Sequence, residues 1–225
     1  SYSFREAYGE EQQHYLNATK YNYTPMNQDD VNELITRLTK ITNDPPNYPY
    51  IRHQKQQHGN IPLWVMMKAL TLGTVSKLYS FLPQSIQHNV SKEFEYVHEG
   101  MLVQMLDLLA RVRNVCAHNE RLFDYKYQKG TIDDTYVHNA LAIEKKKGQY
   151  IKGKNDLFAV VIVLKYLLSE EDFSSFVQEL EKITEQLFLD TRVIEKLQLY
   201  KYMGFTENWF DIDACTKTGE KKISE

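Results

Sequence analysis

Between Gly100 and Tyr125 the chain reads GMLVQMLDLLARVRNVCAHNERLFDY, and its second half gathers Arg111, Arg113, Asn114, His118, Asn119 and Arg121. Histidine exchanges a proton near neutral pH and serves as general acid or base. Arginine carries a permanent planar fork that grips a phosphate and stabilises charge building on it. Side chains of these types suit phosphoryl chemistry. At about 100° per residue, Asn114 and His118 sit one helical turn apart and their side chains can touch. Arg113 lies about 140° round from His118 and flanks that stripe. It reaches a shared ligand by its length, by altered helix geometry or across a subunit interface.

The elements around this stretch read as the scaffold that positions it. Met101, Leu102, Met105, Leu108, Leu109, Val112, Val115 and Cys116 fall on one arc, which must be buried. Asp107, Asn114, His118 and Arg121 make the opposite stripe, with Ala110 leaving space beside it. Upstream, residues 1–28 are tyrosine-rich and irregular. Val31, Leu34, Ile35, Leu38 and Ile41 keep helical spacing until NDPP, with Asn27 or Asp29 as cap. Residues 43–61 read as a long polar loop. Pro62 opens LWVMMKAL at a first helical position, Gly73 interrupts, TVSKLYSFL runs to Pro83, and SIQHNVSKEF is a further short helix.

Downstream, residues 126–155 have poor periodicity, and helices resume with DLFAVVIVLKYLL. Ser169 caps the next helix in an S-x-x-D pattern with Asp172, and a last one over Thr191 to Met203 is ended by Gly204. Phe205, Trp209 and Phe210 fold back on the core, and CTKTGEKKISE reads as a disordered tail. No convincing set of alternating strands is present, so the expected fold is all-α. Its main domain covers 61–212, between an N-terminal segment 1–60 and a flexible tail 213–225. The opening SYSFREAYG, without an initiator methionine, reads as the end of a helix in a fragment of a longer protein.

The 225 residues allow one domain or two small ones. A net charge of −3 gives no global basic signal, so a polyanion site must be a local patch. Two cysteines supply no disulfide framework, which points to a reducing, cytoplasmic setting. The longest apolar run, Leu157 to Leu168, is too short to span a bilayer, and no signal peptide is legible.

Three other patterns carry weaker chemistry. Gly148 to Asn155 fits G-x4-G-K, but it ends in Asn where a P-loop needs a hydroxyl, and AIEKKK before it is no buried strand. We read it as a flexible basic loop whose Lys145, Lys146, Lys147, Lys152 and Lys154 either contact RNA phosphates or form a solvated surface. His53 and His58, near Arg52 and Lys55, lack a cysteine or carboxylate at ligand spacing, so no metal site and no cofactor are read. Tyr48, Tyr50, Tyr125 and Tyr127 could stack on unpaired bases, although packing explains most of the sixteen tyrosines.

IPLWVMMKALTLGTVSKLYSFLP, LLARVRNVCAHNERLFD and KYMGFTENW, in that order from Ile61 to Trp209, resemble the Abi family of bacterial abortive-infection proteins, AbiD and AbiF type. The resemblance implies a HEPN-like up-and-down helical bundle with additional helices, and a ribonuclease signature R-x4-6-H filled by Arg113, Asn114 and His118. It also implies metal-independent RNA cleavage by 2′-OH attack at a site shared between two protomers of a homodimer, leaving 2′,3′-cyclic phosphate ends. Arg113 would neutralise the scissile phosphate, His118 act as acid or base, and Asn114 orient His118. Arg121 and Arg111 would be further RNA contacts. No membrane and no DNA partner is expected. Family members usually carry a further N-terminal helical region. Two other readings remain open at this point: a non-catalytic module holding a small noncoding RNA, and a protein-interaction module that blocks a phage factor.

Overall fold

The computed structural model describes residues 1–43, 47–128, 130–191 and 195–220. Residues 44–46, Lys129, residues 192–194 and the last five residues lie outside that description. The fold is all-α, with twelve α-helices and one minimal hairpin among the described residues. Two compact units divide it: Ser1–Glu93 with His98–Asp107, and Phe94–Val97 with Leu108–Glu225. The division therefore falls inside the helix expected to be central, not near residue 60.

The first unit holds α1 (Tyr2–Tyr8), α2 (Gln12–Tyr15), α3 (Gln28–Asn43), α4 (Pro49–His58), α5 (Leu63–Met67), α6 (Leu72–Phe81) and α7 (Gln84–Ser91). The N-terminal segment is more regular than its composition suggests. Its tyrosines act as pins: the Tyr15 hydroxyl donates to Ile61 O at 2.7 Å and the Tyr21 hydroxyl to Tyr15 O at 2.6 Å. α3 buries Val31, Leu34 and Leu38 as expected, and packs against α6. Asn27 precedes α3 and its carbonyl accepts from Val31 N–H, while its side chain turns back to Thr24 N–H.

The expected long loop at 43–61 is instead largely α4. Pro49 opens this helix, and only Ile51 on it is buried. A helix with one core contact leaves almost no apolar period in the sequence. The break between α5 and α6 lies at Lys68–Thr71, where Thr71 Oγ1 caps Thr74 N–H; Gly73 is inside α6. Pro62 is the residue before α5 rather than its first.

Helix α8 spans Glu99–Ala117, contributing its first half to one unit and its second half to the other. At its start, the His98 ring accepts from Met101 N–H. Glu99 accepts from the Gln84 amide at 3.0 Å, and this bond, its own backbone N–H and His88 hold its carboxyl down at about 2.

The second unit continues with α9 (Tyr136–Ala140), a hairpin of β1 (Lys145–Lys146) and β2 (Gln149–Tyr150), α10 (Leu157–Leu167), α11 (Glu170–Thr191) and α12 (Lys196–Met203). The hairpin corrects the flexible-loop expectation for 144–150. It pairs Lys145 with Tyr150 and Lys146 with Gln149 around Lys147 (φ 52) and Gly148 (φ 81). Two positive φ values make this a two-residue turn matched to strand twist.

α10 is buried on nearly every side, which marks it as the centre of this unit. Even Lys165 on it is only 4% exposed, with its ammonium donating to Asp213 O and lying 4.8 Å from the Phe173 ring centre. Ser169 and Asp172 form the expected cap of α11. The last helix starts later than expected, at Lys196. Phe205 and Trp209 fold back into the core, their ring centres 4.9 Å apart, whereas Phe210 stays 43% exposed. Residues 215–220, expected as part of a loose tail, are docked. Cys215 is buried, Tyr166 donates to Lys217 O at 2.7 Å, and Lys217 Nζ donates back to Tyr166 O.

Asp156 organises the entry to α10. It is 2% exposed and accepts from Gly153 N–H and Ala159 N–H, with Lys126 Nζ 3.6 Å away. Burial pushes its carboxyl pKa up, opposed by Lys126 and the two N–H groups. Gly204, which ends α12 at φ 79, packs so closely that an added Cβ would lie 2.2 Å from Asp156 Cγ. Gly204→Ala therefore combines a left-handed backbone penalty with overpacking of a buried carboxylate. We expect a loss of about 3 kcal/mol, read as a lower urea midpoint for the second unit.

Candidate active site at the end of helix α8

α8 ends in a way that puts its polar residues in solvent. Glu120 N–H donates to Val115 O and Asn119 N–H to Cys116 O, with Asn119 left-handed at φ 53. This is the reciprocal bonding of a Schellman cap. It makes His118 the last residue before the turn, its own N–H donating to Asn114 O at 2.9 Å. Behind it, Val112 and Val115 are buried and anchor the last two turns.

Arg113, Asn114 and His118 are all exposed. Arg113 Nη1 donates to Asn114 Oδ1 at 3.4 Å, so the carboxamide orients the guanidinium rather than the imidazole. Among the described residues the His118 ring makes no hydrogen bond or ion pair, and Arg113 is held by no carboxylate. Both are available to a ligand.

The other expected contacts are placed differently. Arg121 lies beyond the helix end, off the stripe that a continued helix would give it. Its fork is filled by Asp124, with Nε 2.9 Å from Oδ1 and Nη2 2.6 Å from Oδ2. Arg111 is half-buried, its guanidinium 5.6 Å from the Tyr127 ring centre, and Tyr127 itself is buried. It serves packing more than recognition. Lys152 donates to Phe205 O at 2.7 Å, and Lys154 pairs with Asp134 at 2.6 Å with little exposure. These two lysines are structural ties. Lys145 lies over the Tyr150 ring at 4.2 Å, while Lys146 and Lys147 are exposed at the hairpin. Gly153 N–H, which a phosphate loop would keep open, is spent on Asp156. His53 and His58 are exposed on α4, about 140° apart round the helix, and do not converge.

Two features on α8 correct the helical wheel. Cys116 is exposed and Ala110 is buried. The wheel counts angle alone, whereas the core beneath α8 reaches Val115 and no further.

Sequence reading missed His138, which is fully buried. Its Nδ1 faces Thr135 N–H at 3.0 Å, a donor only, so Nδ1 accepts and Nε2–H donates to Gly153 O at 3.0 Å. The Tyr150 ring stacks on it at 4.7 Å. Its partner Gly153 is fifteen residues away, so no local spacing announces it. It fixes the loop before α10 and takes no part in chemistry at α8.

Beside the helix end lies an apolar cavity of about 570 Å³. Phe123 forms one wall, and Leu180, Ile183 and Leu187 of α11 with Leu199, Tyr202 and Met203 of α12 form the rest. Phe123, Ile183 and Tyr202 are 40–57% exposed there.

A family model described as Abi-like protein matches residues 1–124. The chain belongs to the Abi-like protein family. The match takes in all of the first unit and closes just past Arg121, so this Abi-like chain carries its exposed Arg113, Asn114 and His118 inside the family region. It starts well before Ile61 and leaves the last hundred residues unmatched, unlike the resemblance read from sequence motifs. No curated protein and no solved structure matches the chain. No helix among the described residues is long and apolar enough to cross a membrane.

Two outcomes follow from this placement. Native protein treated with iodoacetamide should label at Cys116 and not at Cys215, as read by mass spectrometry. Burial lowers the His138 pKa from its ordinary 6.5. The folded state then binds fewer protons than the unfolded chain, so stability falls as pH drops below 6.5. His138→Gln should flatten that acid limb in urea titrations.

Proposed function

We propose that this Abi-like protein is a metal-independent endoribonuclease of the HEPN type, acting in abortive infection against phage. The observation that carries the reading is an imidazole and a guanidinium, both exposed, the imidazole without a hydrogen-bond or ion-pair partner among the described residues, on the last turns of a helix anchored from behind. Membership of the Abi-like family supports the defence role.

In this reading RNA is the substrate. A base takes the proton from a ribose 2′-OH, the 2′-oxygen attacks phosphorus, and an acid protonates the departing 5′-oxygen, leaving a 2′,3′-cyclic phosphate. His118 supplies acid or base. Arg113, steadied by Asn114, stabilises charge on the phosphorane. A single imidazole cannot make both proton transfers in one step, so a second copy of the chain brings the other. The apolar groove starting at Phe123, five residues past His118, offers that copy a surface of the kind dimers cover. Lys146 and Lys147 on the hairpin are further phosphate contacts, free of the ties that hold Lys152 and Lys154.

His118→Ala and Arg113→Ala should each lower cleavage of total RNA by at least about 100-fold while leaving RNA retention in a gel shift unchanged. A mixed dimer of wild type with His118→Ala should be badly impaired, and Ile183→Glu should yield an inactive monomer. Unchanged cleavage in His118→Ala would sink the catalytic reading and leave a binding module.

A further inference from the structure

We propose that a cleft in the first unit, between α3 and the turn leading into α6, binds a single nucleotide. The cleft measures about 290 Å³, with Arg37, Lys40, Asn47, Tyr48, Leu70 and Thr71 in its wall. Organic-ligand sites start near roughly 300 Å³, so it suits one nucleotide and not a folded RNA.

Its lining has the chemistry of a phosphate with a ring attached. Two cations sit one turn apart on α3, and no carboxylate is among the described residues that line the cleft. Among the described residues Lys40 makes no hydrogen bond or ion pair, and its ammonium is exposed. Arg37 is preset: Nη1 donates to Thr74 Oγ1 at 3.4 Å, and that hydroxyl lies 3.0 Å from Thr71 Oγ1. Its other contact, Glu33 at 3.1 Å, is an exposed pair that contributes little and exchanges readily for a phosphate. In the same wall, Tyr48 is half-buried and its ring is buttressed edge-on by Tyr50, with ring centres 6.1 Å apart. A base stacks on such a platform whatever its identity. The Asn47 amide beside it can bond the base edge.

The same chemistry arises from a free nucleotide or from one residue of a single-stranded RNA. Its residues belong to the first unit and Arg113 and His118 to the second, and the proposal does not depend on the nuclease reading. It is tested by titrating the full-length chain at low salt with 5′-AMP, a short single-stranded RNA and inorganic phosphate. Lys40→Gln and Tyr48→Ala should each weaken AMP by about tenfold, and Tyr48→Phe should stay within about twofold of wild type. Inorganic phosphate should respond to Lys40→Gln alone. An equal loss for RNA, displaced by AMP, places the site on a strand as well; a loss seen with RNA only assigns it wholly to the strand. Circular dichroism of each variant, expected unchanged for exposed Lys40, separates lost binding from lost folding. The proposal is overturned if well-folded Lys40→Gln and Tyr48→Ala bind AMP and RNA like wild type, or if phosphate binds as tightly as AMP.

Discussion

The end of α8 depends on one backbone exchange, Glu120 N–H to Val115 O, closed through a left-handed Asn119. An L-residue tolerates that conformation best when it is asparagine, whose short polar side chain eases the steric cost. The closure stops the helix at Ala117 and turns the chain sharply. His118 therefore ends up on the rim and not on a flank. The anchoring from Val112 and Val115 holds the last turns still, so the exposed groups have a fixed origin even though their tips are free. Arg113 leans on Asn114, which orders one of these tips. A helix end built this way gets its rigidity from the scaffold and leaves the exposed tips free to align on whatever binds there.

The second unit solves a different problem. Its central helix is apolar all round, and such a helix needs its ends sealed. Asp156 does this at the N-terminal end while buried, an arrangement that costs solvation and is offset by two N–H donors and a nearby ammonium. The neighbouring loop is fixed by His138, and the far end by the Tyr166–Lys217 exchange. Asp156, His138 and Lys165, all placed deep in this unit, are thus accounted for by architecture. That is why the buried histidine reads as structural.

How much of this was legible follows from how each element is stabilised. α3, α10 and the first half of α8 bury continuous faces, and continuous faces leave a period in the sequence. α4 rests on Ile51 alone and left none. The hairpin has two residues per strand, too few for alternation, and its turn uses lysine where asparagine would have announced it. Arg113, Asn114 and His118 were legible as residue types. Their exposure was not, because a helical wheel knows nothing of where the core stops; the same blindness put Cys116 inside and Arg121 on the helix. Lys152 and Lys154 looked like their neighbours in the sequence. Only their distant partners, Phe205 and Asp134, separate them from Lys146 and Lys147.

The lysine hairpin has a consequence for handling the protein. Lys145, Lys146 and Lys147 protrude on a tight two-residue turn, and a trypsin-like protease reaches such a tip before anything in the packed helices. A single nick there would split the chain into two pieces of unequal mass. Contacts on either side of the cut, His138 to Gly153 and Tyr127 to Asn155, would keep the pieces together in solution. The clipped species would run as one particle on a sizing column and as two bands on a denaturing gel, with α8 and its rim on the larger fragment.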